Sequence, residues 1–176
     1  MNSPTVVIGI DPGLVCPGLA LILGGDLSLT CSYKPNRKLA LADRLRVISD
    51  CFAKEILTHK PDAVAIEEQR FVQVGKRARG QMGEHNSKTL IVVGIAVALA
   101  SVVGAEVLFI PPQKAKIAAL GKGYGNASKG AVQVALRSLF RKVQFEDEAQ
   151  ADAAAIAIAG YRMMGLPKEL RQKARR

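Results

Sequence analysis

Thr5-Val-Val-Ile-Gly-Ile-Asp-Pro-Gly13 decides how the rest of the chain is read. A β-branched apolar run has the composition of a buried strand, and Pro12-Gly13 forces the chain to turn directly after it. Asp11 is thereby pinned at the end of a core strand. A carboxylate in that place is unfavourable unless a positive group meets it, and a hard divalent cation with oxygen ligands is the natural candidate. An ordinary Asx turn explains Asp11 equally well when this stretch is taken alone.

Working outward, residues 18–24 and 27–33 are two further strands about the turn Gly24-Gly25-Asp26. Residues 37–59 have helical spacing, with Leu41, Leu45, Ile48, Phe52 and Ile56 on one stripe, and Lys60-Pro61-Asp62 stops the helix. Residues 63–67 form a short strand that again runs into acid, and 106–110 form a fifth. Residues 88–103 are apolar nearly all round, which predicts a helix buried in the core or in a subunit interface. Helices are expected over 111–120, 127–143 and 148–164. A three-stranded meander followed by strand-helix-strand units predicts an α/β domain, a mixed five-stranded sheet with helices on both faces. No repeat or linker interrupts it, so residues 1–166 are expected to form one domain and 167–176 a basic tail.

The chain of 176 residues suits one domain with a full core. It carries 25 Lys and Arg against 15 Asp and Glu, a net charge of +10. Such a balance points to a polyanion, nucleic acid first. A membrane is not expected, because the longest apolar stretch, 90–103, is about two-thirds of the roughly 20 residues needed to span a bilayer. Residues 1–4 show no signal-like pattern, so an intracellular, cytoplasmic setting at the nucleoid is expected. Cys16, Cys31 and Cys51 are widely spaced and odd in number, and His59 and His85 are isolated. Neither a zinc site nor a disulfide framework follows from them.

The acids are placed selectively. Asp11 and Glu67 end two strands, and Glu146-Asp147-Glu148-Ala-Gln-Ala-Asp152 opens the final helix. The helix dipole accounts for residues 146 to 148. Asp152 lies on an otherwise apolar face and is unfavourable there unless it faces a site. Glu148 and Asp152 are i,i+4 neighbours able to point at one cation, whereas Asp147 lies about 140° round the helix from Asp152. Three or four converging carboxylates repel one another without divalent ions. With Mg²⁺, or Mn²⁺ as the alternative, they make a two-metal site for phosphodiester hydrolysis, one ion activating water and the other stabilising the leaving oxygen.

Gly9-Ile-Asp-Pro-Gly13, Ala65-Ile-Glu-Glu-Gln69 and Ala151-Asp-Ala-Ala-Ala-Ile-Ala-Ile-Ala159 resemble, in order and spacing, the acidic motifs of RuvC-type Holliday junction resolvases. Pro111-Pro-Gln-Lys-Ala-Lys116 and Gly121-Lys-Gly-Tyr-Gly-Asn-Ala-Ser-Lys129 resemble that family's basic stretch. The similarity runs from the first strand to the last helix. It implies an RNase H-like fold, a homodimer, and Mg²⁺-dependent symmetric nicking of four-way DNA junctions, with two ions per active site and a branch-migration helicase as candidate partner. By position, Asp11 and Glu67 match the first two catalytic carboxylates and metal ligands, and Asp152 the last. Glu67 is preferred to Glu68 because its flanking Ala65-Ile66 matches. The family has a further ligand three residues before the last aspartate, where this chain has Ala149. Glu148 is the expected substitute, with Asp147 behind it.

From residue 107 to 145 the charges are Lys114, Lys116, Lys122, Lys129, Arg137, Arg141 and Lys142, without one acid. A solvated helix face normally mixes signs. Lys116 and Lys129 match the family's junction-binding lysines and are the expected phosphate contacts. Phe71 sits in a polar loop, where the resemblance implies an aromatic wedge into the junction centre. A Phe tucked under its own strand is the alternative. Arg70, Lys76 and Arg77 around it favour DNA. The expected function is a metal-dependent endonuclease for branched DNA that leaves 5′ phosphates. Alternatives are a nuclease acting on flaps and forks, and a non-catalytic junction-binding protein. An actin-like ATPase needs two such domains, for which 176 residues leave no room.

Overall fold

The structure, a computed structural model, describes residues 3–69, 84–141 and 143–165. Three strands come first, β1 (Val6–Asp11), β2 (Gly18–Leu23) and β3 (Asp26–Ser32). Helix α1 (Leu41–His59), β4 (Ala63–Glu67), α2 (Glu84–Val102) and β5 (Glu106–Ile110) follow, then α3 (Pro112–Leu120), α4 (Lys129–Leu139) and α5 (Glu148–Met164). The sheet order is β3-β2-β1-β4-β5. β1 runs antiparallel to β2 and parallel to β4, which is parallel to β5. This is the expected mixed five-stranded sheet with helices on both faces.

Strand alternation divides the core in two. Ile8, Ile10, Val64 and Ile66 face α1 and α2, where Ile48, Phe52, Val92, Ala96 and Ala100 meet them. Val7, Ala63, Ala65, Leu108 and Ile110 face α5 with α3 and α4 outside it. Asp11 and Glu67 continue the second alternation, so both carboxyl groups emerge on the α5 side.

Helix α5 is buried along nearly its whole length. It lies so close to the sheet that a Cβ on Gly9 would strike the Ala153 carbonyl and Ala157, and one on Gly18 the Ala149 carbonyl. Glycine on the strands and alanine on the helix are what this approach requires.

Some boundaries differ from expectation. Asn36 Oδ1 accepts from the Lys38 amide at 3.0 Å, forming an Asx turn, so α1 starts at Leu41 and not at 37. Lys60 in the left-handed conformation closes α1, as the Lys-Pro-Asp stop implied. α4 spans Lys129–Leu139 and not 127–143, because Ser128 caps it through the Ala131 amide and a turn at Phe140 ends it. α2 begins at Glu84, earlier than 88. Its inward residues are Thr89, Val92, Ala96 and Ala100, while Ile91, Gly94, Ala98 and Val102 are exposed. Among the described residues no helix is long and apolar enough to cross a membrane.

Candidate active site

Asp11 and Glu67 stand one residue beyond Ile10 and Ile66, the last paired positions of two parallel strands. Asp152, in the second turn of α5, meets them from above the sheet. The three line one pocket of about 240 Å³ with Lys116, Lys129 and an apolar wall that includes Val132 and Ile156. Burial first, then the charges of Glu67 and Asp152, raise the Asp11 carboxyl to about 7. Burial and the Asp152 charge push Glu67 up as well, partly offset by Lys129. The Lys129 ammonium lies 2.8 Å from Asp152 Oδ2 and 3.6 Å from Glu148 Oε2, and the hydrogen bond to Asp152 is the chief reason its own pKa rises.

The donor set is hard carboxylate oxygen, short of positive charge, and it fits a divalent cation of the Mg²⁺ type by its chemistry. It is not preassembled. Among the described residues no three Asp, Glu, His or Cys side chains are gathered tightly enough to hold an ion.

A family model described as Crossover junction endodeoxyribonuclease RuvC matches residues 7–160. The chain belongs to the RuvC family. It is similar to the crossover junction endodeoxyribonuclease RuvC of Rhizobium leguminosarum bv. trifolii, 33% identical over 162 residues that cover 90% of each chain. Among solved structures it is similar to Thermus thermophilus RuvC in complex with a Holliday junction substrate, with TM-score 0.73 and 26% identity over 92% of this chain and 96% of that one. The yeast mitochondrial Holliday junction resolvase shares the fold, at TM-score 0.62 and 16% identity over 98% of this chain and 84% of that one.

Within this RuvC-family pocket the two acids preceding Asp152 are separated by what they touch. Asp147 is the N-cap of α5 and accepts from the Gln150 amide at 3.1 Å. Its other oxygen accepts from the Ser32 hydroxyl at 2.7 Å, Lys34 at 2.9 Å and the Cys16 thiol at 3.7 Å. Burial alone would raise its carboxyl, but Ser32, Lys34 and the Gln150 amide outweigh that and hold it below the ordinary value. Asp147 is thus committed to joining the β1–β2 turn, the end of β3 and the start of α5. Glu148 is 69% exposed and touches Lys129 at the pocket rim. Glu67 lines the pocket, and the Glu68 amide donates to the Ile110 carbonyl at the end of β5.

Lys116, the expected phosphate contact, lines the pocket, and its ammonium donates to the Ala127 carbonyl at 2.6 Å. It ties α3 to the glycine-rich segment that leads into Lys129. Arg70, Phe71, Lys76 and Arg77 lie outside the described residues, as do Lys142 and residues 166–176.

Sequence reasoning missed the residues that seat the acids. Buried Gln150 bonds Ser32 and the Glu146 amide, helping to fix the start of α5. Arg44 donates to the Leu14 carbonyl at 3.0 Å, holding the turn that follows Asp11. A buried Gln beside a helix cap was a legible signal for the first. Nothing local in the sequence marked the second.

Proposed function

We propose that Asp11, Glu67 and Asp152, with Glu148 at the rim, form the hydrolytic centre of this crossover junction endonuclease. The chain is a RuvC-family nuclease of branched DNA, and the Holliday junction is its substrate. One observation carries the placement of the centre. Three carboxylates from β1, β4 and α5 converge on a pocket whose remaining charges are lysines, and burial with mutual repulsion holds Asp11 near 7.

These carboxylates are the ligands for divalent cations, Mg²⁺ or Mn²⁺, two per site. Bound there, such ions would supply Lewis-acid polarisation of a phosphate and a lowered pKa for an attacking water. The chain's own residues do the rest. Lys116 and Lys129 attract the DNA backbone across the pocket, and the apolar wall excludes bulk water. Asp147, Gln150 and Arg44 hold the elements that carry Asp152 and Asp11. The protein works as a homodimer, since symmetric nicking needs two centres facing opposite strands. The exposed face of α2 supports this reading: Ile91, Gly94 and Ala98 form a small apolar stripe, and a Cβ on Gly94 would meet nothing within 4 Å. Residues 1–166 are the nuclease domain, and 167–176 add non-specific affinity. We further assign it an intracellular role at the nucleoid, with a branch-migration helicase as partner.

The test uses synthetic four-way, flap and linear duplex DNA with and without Mg²⁺. Paired nicks with 5′ phosphates are expected, on the four-way junction and only with the metal. Equal cleavage of flaps would replace the junction-restricted reading with a broader branched-DNA nuclease. Metal-independent cleavage would remove the assignment of the centre.

A further inference from the structure

Lys129 occupies the first position of α4, the end of a helix where a cation is least favoured. Its side chain reaches away from its own helix to α5, 2.8 Å from Asp152 Oδ2 and 3.6 Å from Glu148 Oε2. The position is explained by the pocket. Three crowded carboxylates need positive charge nearby, and this ammonium supplies it. The side chain is 58% exposed on a four-carbon stem, and an ammonium is a point charge without the fixed fork of a guanidinium. It can leave without dismantling any packing. The oxygen it occupies belongs to the carboxylate that a divalent ion would take.

We propose that Lys129 is a resident counter-cation, which holds Asp152 in the metal-free pocket, yields it to a divalent ion, and is thereby released toward the DNA backbone. The proposal rests on the reading of Asp11, Glu67 and Asp152 as metal ligands. It makes metal and DNA binding mutually reinforcing. An ion that takes Asp152 frees the lysine for phosphate, and a phosphate that draws the lysine away clears Asp152 for the ion. Linkage requires the two effects to be equal in size.

Mn²⁺ binding to the full chain without DNA, followed by the electron paramagnetic resonance of the free ion, tests it. Lys129→Met and Lys129→Gln should bind Mn²⁺ roughly three- to tenfold more tightly than the native chain, the scale of one partly exposed competing ion pair. Lys129→Arg should bind no more tightly than the native chain, because the charge is retained and the guanidinium fork holds the carboxylate at least as well. Asp152→Asn should lose affinity. Unchanged or weaker binding in both neutral variants, with affinity lost in Asp152→Asn, would overturn the proposal and leave the ligand assignment standing. An Arg variant as tight as the Met variant would likewise overturn it. Native affinity in Asp152→Asn would overturn both readings.

Discussion

Asp11 and Glu67 leave neighbouring parallel strands at the same height, so their carboxyl groups are held side by side by the backbone itself. Both are largely buried, and the Glu67 charge adds to burial in raising the Asp11 carboxyl. In the metal-free protein this pair is a source of instability that the fold tolerates. Asp11→Asn should therefore abolish cleavage while raising metal-free stability by about 1–3 kcal/mol. The sign follows from the carboxyl being raised to about 7 from an ordinary 3.8. Between those values the folded state holds a proton that the unfolded state has released, so native stability falls as pH rises through that window. Thermal unfolding in chelator at pH 5 and pH 8 checks it. The variant's advantage should be larger at pH 8, and a variant less stable than the native chain at pH 8 would contradict the assignment.

Glu148→Gln should lower cleavage far more than it lowers stability, whereas Asp147→Asn should do the opposite. The Asp147→Asn variant keeps a cap acceptor for the Gln150 amide but loses the charge that meets Ser32 and Lys34, and is expected to be destabilised by about 1–2 kcal/mol. The Asp147 carboxyl is held below 3.8, so its stabilisation is complete above that pH and disappears as pH falls through the folded-state value. Acid unfolding below about pH 4 should thus be less steep in Asp147→Asn. A larger activity loss in that variant than in Glu148→Gln would exchange their roles.

Lys116→Ala should weaken junction binding and reduce its salt dependence by about one unit of slope. It also removes the tie to Ala127, so the glycine-rich segment should become more susceptible to protease. Faster nicking with an unchanged salt slope would restrict Lys116 to holding that segment.

The dimer test moves to residues the fold exposes. Val93 and Val97, apolar positions of α2, are half-buried against the α1-side core. Ile91, 44% exposed, and Ala98 face outward. Ile91→Glu or Ala98→Glu should give a folded monomer in sedimentation that no longer makes paired nicks. A native chain that is monomeric at micromolar concentration and still nicks in pairs would defeat the dimer reading.

Gly9→Ala should destabilise by about 2 kcal/mol or more, because the new methyl group meets α5 backbone that no rotamer change can move. Stability within experimental error of the native chain would show that α5 can shift.

The strands, the two-sided sheet and the positions of Asp11, Glu67 and Asp152 were legible because each follows from local rules. A β-branched run, a turn after it and an acid on an apolar helix face identify themselves. Contacts made across the chain were not legible. Asp147 finds Ser32 more than 100 residues away, and Arg44 finds Leu14 through the packing of α1 beside a turn. Neither relation has a periodicity to betray it. The burial of α5 was not legible either: 88–103 reads as a helix buried in the core or in a subunit interface, yet within this chain it is the alanine-rich α5 that is buried along nearly its whole length. Hydropathy does not distinguish an alanine helix seated on glycines from one at a surface.

That seating divides the pocket into a hard wall and a soft one. With no side chain between the α5 backbone and the strands at Gly9 and Gly18, Asp152 and Asp11 are fixed relative to each other by main-chain contact. The opposite wall, from α3 and α4, places its positive charge in the pocket on two long lysine stems beside Ala115 and Val132. A substrate whose shape changes as its arms rearrange can then be followed by the lysine wall while the backbone spacing of the acids stays constant, leaving only side-chain rotation to gather the carboxylates. Compliance is confined to the side proposed to meet the DNA.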